Sequence, residues 1–246
     1  MRRTELKQDL LTSVHFLFPS VCMLCGRVLV KGRNCGEELL ELQVCTSCLS
    51  QFPVRLSTER WFPCLSDPFE EDPIPDMSVW ALFHYETPVS TLLRRMKFHS
   101  KKYCGSLIGE LIGREFPTEV PFRWDAVIPV PLSEKRREER GFNQAEVLAK
   151  GLSEHLGVPL CNNVIQKIRH TKQQSRFTEP AQRTGNVKGA FAVDEKWDIT
   201  GWNILLVDDI LTTGATMHEA AKILYENGAC RVFGAVAATH RENDEE

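Results

Sequence analysis

Short apolar runs alternate with amphipathic stretches along much of the chain, and the two kinds of segment have the lengths of strands and helices. Runs of branched apolar residues bounded by turns predict buried strands, and apolar residues that recur every three or four positions predict helices packed on them. Strands that alternate with helices in this way indicate an α/β fold with a parallel sheet. The predicted strands are residues 79–85, 126–128, 204–207 and 232–237, and the predicted helices are residues 91–98, 142–152 and 217–227.

The pattern breaks at residues 61–77, where four prolines fall among acidic residues, and this composition predicts an irregular linker between two domains. Residues 1–60 form the first predicted domain. It begins with a helix whose apolar residues recur at helical spacing as far as Phe18, and Pro19 is expected to end that helix. Residues 78–246 form the second and larger domain, which contains the predicted sheet.

Composition and charge narrow the classes of function. The 246 residues carry a net charge of −3, which gives no general attraction to nucleic acid or to an anionic membrane. No apolar run approaches the roughly 20 residues that span a bilayer, so we expect no membrane insertion. Acidic residues soon follow Arg2 and Arg3, which argues against a signal peptide and predicts a cytoplasmic protein. Most cysteines are expected to stay reduced in that compartment.

Four of the nine cysteines form two Cys-x-x-Cys pairs, Cys22 with Cys25 and Cys45 with Cys48. Nineteen residues, 26–44, separate the pairs, a spacing typical of a four-thiolate zinc site. The alternatives are disulfides, which a reducing compartment disfavours, and buried reduced cysteines, which the paired spacing disfavours. Four thiolates leave zinc no open position, so the predicted role is structural. The remaining cysteines stand singly and are expected to be small buried hydrophobic residues: Cys35, Cys64, Cys104, Cys161 and Cys230.

The most informative segment is residues 204–216, in which an apolar strand is followed by Asp208 and Asp209 and then by a loop of small residues. A phosphate at the following helix start would meet backbone N–H groups and the positive end of the helix dipole. Gly214 allows the backbone to approach it closely, because glycine has no Cβ. Ionised carboxylates accept hydrogen bonds only, so the two aspartates suit the vicinal hydroxyls of a ribose. The hydroxyl groups expected to donate to the phosphate belong to Thr212, Thr213 and Thr216.

The segment therefore predicts a site for a sugar phosphate with a free 2′,3′-diol at the carboxyl end of a strand, where open α/β sheets bind ligands. Two other interpretations fit part of the pattern. An Asx turn and an N-cap after a core strand would explain the polar residues without a ligand. An acidic pair after a strand also suits a metal-binding receiver-type site. A P-loop nucleotide site is excluded because no Gly-Lys-Ser/Thr follows.

Basic residues cluster in three further segments. Residues 94–102 carry five lysines and arginines and no acid, which is typical either of a solvated helix end or of a phosphate-binding patch. Phe98 and Tyr103 would supply stacking if single-stranded DNA bound there. Residues 133–141 mix basic and acidic residues in a predicted loop after a strand, which is either only a charged, exposed loop or one that supplies positive charge to the phosphate site. Residues 169–189 are polar with few apolar anchors, and a stretch of this length inside a domain indicates either a lid or disorder. A lid suits a site that must exclude water, so we expect a lid here.

Residues 204–216 resemble the 5-phosphoribosyl-1-pyrophosphate (PRPP) motif of the type I phosphoribosyltransferases. Across nearly the whole chain, the sequence resembles the ComF family, which are zinc-knuckle proteins with a phosphoribosyltransferase fold linked to bacterial DNA uptake. The supporting segments are residues 22–25, 45–48, 128–131, 140–145, 171–174, 183, 186–191 and 204–216. The resemblance implies a type I phosphoribosyltransferase-like parallel sheet with helices on both faces, preceded by a small N-terminal zinc-ribbon module.

The resemblance also implies roles for individual residues. Asp208 and Asp209 are expected to hold the ribose hydroxyls of PRPP, and Mg²⁺ is expected to bind together with this ligand. The loop residues expected to wrap the 5-phosphate include Thr212, Thr213, Gly214, Ala215 and Thr216. The residues expected on the pyrophosphate side are Lys97, Arg137 and Arg140, of which Arg140 is expected to be catalytic together with the two aspartates. The residues expected to act in the lid are Thr171, Gln174 and Arg183.

The sequence supports three hypotheses of function. In the first, the protein is an enzyme, a pentosyl-type glycosyltransferase that moves a phosphoribosyl group from PRPP to an amine or a base. In the second, it binds PRPP without turnover and handles single-stranded DNA through the zinc module and residues 94–102. In the third, the zinc module is an interaction platform for other DNA-uptake proteins. Residues 22–60 are nearly balanced in charge, which weakens the case for direct nucleic-acid binding by that module.

Overall fold

The structure is a computed structural model that describes residues 19–64, 75, 77–98, 101–168 and 189–241. The chain divides into two compact units, Met1–Phe52 and Pro53–Glu246. The helix expected before Pro19 lies outside the described residues, and so does the expected lid apart from Gly189. The three expected lid residues, Thr171, Gln174 and Arg183, lie outside that range as well, and their role stays a prediction.

The boundary between the units precedes the expected one, because residues before position 60 already pair with the larger unit. The N–H of Arg55 donates to the carbonyl of Leu82 over 2.9 Å. The start of the expected linker also differs, since Trp61–Cys64 forms a strand that pairs antiparallel with Met77–His84. The prolines of this stretch suggested irregular structure, but Pro63 lies in a strand at the edge of the sheet, where a missing N–H is tolerated.

The N-terminal unit contains two short helices, Glu37–Glu41 (α1) and Thr46–Leu49 (α2). Val21 bridges Val28 in an antiparallel arrangement, and the turn between them contains Gly26 at a φ of 71°. Glycine adopts this left-handed conformation without a steric penalty. The turn thus presents the first cysteine pair toward the start of α2, where the second pair lies.

The larger unit is built on a five-stranded sheet. Its strands are Trp61–Cys64 (β1), Met77–His84 (β2), Ala126–Pro129 (β3), Asn203–Leu211 (β6) and Arg231–Thr239 (β7). A separate antiparallel pair consists of Ile165–Lys167 (β4) and Phe191–Val193 (β5). The helices that the structure describes in this unit are Val89–Phe98 (α3), Lys102–Glu115 (α4), Glu134–Arg140 (α5), Gln144–Leu156 (α6) and Ala215–Glu226 (α7).

The order of strands across the sheet is β1-β2-β7-β6-β3, and every neighbouring pair except β1 with β2 is parallel. The expected parallel sheet with helices on both faces is confirmed. Leu206 packs with α7 in one core cluster, and Leu205, which points to the opposite face, is fully buried as well. Cover on both faces also explains why β2 is buried almost throughout.

Two helices differ from the sequence expectations. The charged segment expected to be an exposed loop forms α5, which begins after Ser133 and ends at Gly141, where a φ of 75° turns the chain out of the helix. Helix α4 was not predicted, and it packs against α6. Among the residues that the structure describes, no helix is both long and apolar enough to cross a membrane.

Candidate functional site

A cleft of about 560 Å³ opens at the carboxyl ends of the parallel strands. Tyr85 follows β2, Val130 follows β3 and His240 follows β7, and all three line the cleft. Asp208 and Asp209, near the end of β6, line it as well. Because four adjacent parallel strands end at the same edge of the sheet, their last residues meet in one place, where open α/β sheets bind ligands.

The two aspartates lie in different environments within this cleft. Asp209 is 8% exposed, and its Oδ2 is 2.7 Å from Nζ of Lys97. The N–H of Asp209 donates to Oδ1 of Asp208 over 2.8 Å. Burial, and then the negative charge of Asp209, raise the pKa of Asp208 to about 7, although Lys97 and Lys167 act to lower it. Asp208 is therefore a carboxyl group that ionises more readily when hydroxyl donors or a cation enter the cleft.

The loop between β6 and α7 brings a helix start to the same cleft. Gly214 precedes the first turn of α7 at a φ of 85°, and Oγ1 of Thr213 accepts a hydrogen bond from the N–H of Ala215 over 3.4 Å. Thr212, Gly214 and Thr216 line the cleft, and Thr213 is not among the lining residues. The hydroxyl of Thr213 thus supports the helix start, whereas Thr212, Gly214 and Thr216 face the space where a phosphate would lie. Ala215, which was also expected at the phosphate, is not among the lining residues.

Basic residues from α5 form the opposite side of the cleft. Arg136 and Arg140 line it, whereas Arg137 is exposed and is not among the lining residues. Adjacent residues of a helix are rotated by about 100° from one another, so Arg137 cannot point in the same direction as Arg136. Nη1 of Arg140 donates to Oε1 of Gln144 over 2.8 Å, which holds the guanidinium at the start of α6. The structure therefore brings Arg136 to the cleft in addition to the expected Arg140.

Lys167, at the end of β4, is a cleft residue that no sequence pattern had indicated. Its Nζ lies 5.0 Å from the centre of the Phe191 ring, across the β4–β5 pair. Burial and then the charge of Arg136 lower the pKa of Lys167 to about 8, although Asp208 acts to raise it. Nothing in the sequence connects this lysine with the aspartates, because only the tertiary fold brings the end of β4 to the cleft that the aspartates line.

The paired cysteines of the N-terminal unit, Cys22, Cys25, Cys45 and Cys48, bring their sulfur atoms within 4.8 Å of one another. In a tetrahedral site with Zn–S bonds of about 2.3 Å, the sulfur atoms lie about 3.8 Å apart. The sulfur atoms of Cys25 and Cys45 are 3.9 Å apart. Burial raises the pKa of Cys22, but backbone N–H groups, among them that of Cys45, bring it down to about 6. The cluster therefore fits a metal ion, and it favours a thiolate at Cys22.

The single cysteines are not equivalent to one another. Cys35 and Cys104 are buried, as expected of small hydrophobic residues, whereas Cys161 is partly exposed and Cys230 is exposed. Cys35 lies outside the four-sulfur cluster, and its Sγ donates to the carbonyl of Gly36 over 3.3 Å. This thiol therefore has a backbone partner of its own.

The segment expected to form a basic patch is divided between two helices. Residues 94–98 belong to α3, Lys101 precedes α4, and residues 99 and 100 are outside the described range. Phe98 is 64% exposed and Tyr103 is 43% exposed. Phe98 also lines the cleft, so aromatic surface and positive charge continue from the cleft to the outside of the unit.

A model of the phosphoribosyl transferase domain matches residues 142–246, which include β6, the loop after it and α7. The fold and the site therefore define a protein with a type I phosphoribosyltransferase domain. The chain is 30% identical to competence protein F of Haemophilus influenzae over 92% of this chain and 94% of that protein. It is also 30% identical to the DNA utilization protein YhgH of Escherichia coli, over 87% of this chain and 94% of that protein. The chain belongs to the ComF family.

Two further similarities are more partial. Competence protein ComFC of Bacillus subtilis is 32% identical over 60% of this chain and 58% of that protein. Among solved structures, the glutamine PRPP amidotransferase of B. subtilis is similar over 54% of this chain and 25% of that chain, with 20% identity and a TM-score of 0.36.

Proposed function

We propose that the protein binds PRPP together with Mg²⁺ and transfers its phosphoribosyl group to an amine or base nitrogen, and that this activity serves DNA uptake. The observation that carries the proposal is the convergence of three chemically distinct groups on one cleft. The aspartates of β6, the loop before α7 and the basic face of α5 all line it. These groups match the diol, the 5-phosphate and the pyrophosphate of PRPP, respectively.

Asp208 and Asp209 are proposed to accept hydrogen bonds from the two ribose hydroxyls. Ionised carboxylates serve this purpose because they have only acceptor sites. Mg²⁺ is bound in proteins through one or two carboxylates together with substrate phosphates and water, so a cage made only of protein groups is not required. The aspartates therefore fit the ion, which would supply positive charge to compensate the phosphates of the ligand.

Transfer breaks the bond between C1 of the ribose and the pyrophosphate oxygen, and the electron pair leaves with the pyrophosphate. The acceptor nitrogen forms the new bond to C1 and gives up a proton. Negative charge grows on the departing oxygens, and fixed cations stabilise such charge most strongly in a site from which water is excluded. Arg140 is our first choice for this role because Gln144 holds its guanidinium at the cleft. Lys97 and Arg136 also line the cleft and are proposed to add positive charge for the departing pyrophosphate.

The link to DNA uptake is supported by relatives named competence protein F, competence protein ComFC and DNA utilization protein YhgH.

The proposal places the protein in the cytoplasm, where the paired cysteines would stay reduced. We assign zinc to these cysteines, since four thiolates in a tetrahedral arrangement are typical of structural zinc sites. Residues 169–189 are proposed to act as a lid that excludes water during transfer.

The test is calorimetric titration of the protein with PRPP and Mg²⁺. We expect binding to the wild type and at least a hundredfold loss of affinity in Asp208→Ala/Asp209→Ala. The matched control is Glu138→Ala/Glu139→Ala, an adjacent acidic pair that is exposed on α5 and does not line the cleft. Unchanged binding in the aspartate variant would contradict the site. Pyrophosphate release with a panel of amines and bases then separates an enzyme from a protein that binds PRPP without turnover.

A second candidate function is the handling of single-stranded DNA by the patch around α3 and α4. It is favoured by the exposure of Phe98 and Tyr103, since exposed aromatic rings beside lysines suit stacking of unpaired bases. Affinity for an oligonucleotide should then fall steeply with salt, and Lys101→Glu/Lys102→Glu should reduce the slope. A flat salt dependence, or a slope that the double variant leaves unchanged, would remove this candidate.

A further inference from the structure

Behind the loop that follows β6, one arginine contacts the backbone at three points. Arg241, which follows β7 closely, donates from Nε to the carbonyl of Thr212 over 2.8 Å and from Nη1 to the carbonyl of Pro63 over 3.0 Å. Its Nη2 donates to the carbonyl of Thr213. Arg241 is not among the residues that line the cleft, so its guanidinium lies on the far side of the loop.

The position of Arg241 is itself fixed by buried groups. Its N–H donates to Oγ1 of Thr239 over 3.0 Å, and this fully buried hydroxyl donates to the carbonyl of Leu211 over 2.9 Å. Nη2 of Arg55, which is 1% exposed, donates to the carbonyl of Arg241 over 2.5 Å. The end of β6, the end of β7 and the strand edge at Pro63 are thus joined by one hydrogen-bond network.

This network determines which way two peptide groups of the loop point. In a planar trans peptide, the carbonyl and the following N–H point in opposite directions. When Arg241 donates to the carbonyls of Thr212 and Thr213, the N–H groups of Thr213 and Gly214 point away from its guanidinium. Gly214 lines the cleft, so an anion at the start of α7 would lie on the side to which these two N–H groups are directed. Two successive N–H groups that point to the same side form a concave site for an anion.

We propose that Arg241 is a positioning residue for the 5-phosphate of the bound sugar phosphate. It does not touch the ligand, but it sets the orientation of the two peptide N–H groups that do. Arginine suits this role because its planar group directs donors to several carbonyls at once, which a lysine ammonium on a flexible stem does not do with the same geometry. This inference rests on the proposed function and deepens it, because it assigns recognition of the 5-phosphate to a loop held in place before the ligand arrives.

The experiment measures the affinities of two probes, ribose 5-phosphate and inorganic pyrophosphate with Mg²⁺, by calorimetry. We expect Arg241→Ala to lower the affinity for ribose 5-phosphate at least tenfold while the affinity for pyrophosphate changes less than twofold. Arg241→Lys keeps the charge but not the geometry, and we expect it to lose most of the affinity for ribose 5-phosphate as well. The matched control is Arg231→Ala at the opposite end of β7, where the side chain donates to Oδ1 of Asn203 over 3.1 Å. It should leave both affinities unchanged.

The outcomes are distinguishable from one another. If the wild type binds ribose 5-phosphate and both Arg241 variants bind it equally well, the positioning role is refuted. If the two probes lose affinity in parallel, Arg241 has only a structural role, and the inference is again overturned. If the wild type binds neither PRPP nor ribose 5-phosphate, the proposed function fails and this inference fails with it. If Arg241→Ala does not fold, Arg241→Lys is measured in its place. A loss of affinity for ribose 5-phosphate alone then supports the positioning role, and an equal loss for both probes refutes it.

Discussion

Nζ of Lys97 lies 2.7 Å from Oδ2 of Asp209, so an ion pair joins the last turn of α3 to the end of β6. The two side chains are 22% and 11% exposed, which means that the pair is largely removed from water. The lysine compensates one of two adjacent carboxylates that would otherwise repel each other in the cleft. It also holds the end of α3, and Phe98 with it, against the site.

This pair should be measurable as a coupling energy. We expect Lys97→Met to lower the free energy of unfolding by about 2 kcal/mol, because Asp209 is then left beside Asp208 without its counter-charge. In a double-mutant cycle with Asp209→Asn, the coupling energy should be about 1–2 kcal/mol. Urea unfolding of the four proteins gives this value. Lys101→Met, an exposed lysine before α4, is the control and should change stability by less than about 0.5 kcal/mol. Strict additivity of the two substitutions would show that the pair is not coupled in solution.

The pKa of Asp208 predicts an unusual dependence of stability on pH. Its value of about 7 in the folded protein lies well above the ordinary 3.8, so folding favours the protonated form. The stability that this group contributes is fully present below about pH 4 and is lost as the pH rises through about 7. Asp208→Asn removes the group, and the variant should therefore gain stability relative to the wild type between about pH 5 and about pH 8.

Urea unfolding of both proteins across this range measures the difference. Asp125→Asn is a suitable control, because this exposed carboxylate bonds the N–H of Asn203 at the opposite end of β6. A difference between Asp208→Asn and the wild type that stays constant with pH would contradict the raised pKa. The same variant should lose affinity for PRPP, so stability and binding are expected to change in opposite directions.

The motif segment could be predicted from the sequence because its signals are local. The branched residues 204–207, the glycine at position 214 and the apolar spacing that follows are all read from adjacent positions, and the structure confirms the strand, the loop and the helix. The strand continues to Leu211, beyond its expected end. The Cys-x-x-Cys pairs also form the expected cluster, because two short turns with this spacing constrain where the sulfur atoms lie.

Elements that depend on tertiary packing were not predictable in the same way. All residues of α5 are charged, so no apolar period indicated a helix. Helix α4 carries glycines at positions 105, 109 and 113, which lower its intrinsic helix propensity. Its stability comes from contact with α6, which the sequence of α4 alone does not reveal. For the same reason, Lys167 was not connected with the aspartates.

The contact between α4 and α6 is close enough that one methyl group should disrupt it. A Cβ at position 151 would lie 2.5 Å from the carbonyl carbon of Gly109 and 2.6 Å from its oxygen. These are backbone atoms, so the helices would have to separate. We therefore expect Gly151→Ala to lower the free energy of unfolding by about 2–3 kcal/mol, although alanine has a higher helix propensity by about 1 kcal/mol.

Urea unfolding measures this effect, and Lys150→Ala is the control on the same helix. The lysine is exposed, and its Nζ lies 3.7 Å from a carboxylate oxygen of Glu154 in a solvent-exposed pair. Such pairs contribute less than about 1 kcal/mol. If Gly151→Ala were as stable as the wild type, the two helices would lie farther apart in solution than in the structure.

The cysteine cluster makes a prediction that distinguishes five neighbouring thiols. Metal analysis of the purified protein should find about one zinc ion per chain. Cys48→Ser should lose most of this zinc, because it removes one of the four clustered sulfur atoms. Cys35→Ser should keep it, because the Sγ of Cys35 lies within hydrogen-bond distance of the carbonyls of Gly36 and Val44 and outside the cluster. Equal zinc content in the two variants would contradict the ligand set. Removal of the ion by a chelator should unfold the N-terminal unit, since binding energy at such sites is also folding energy.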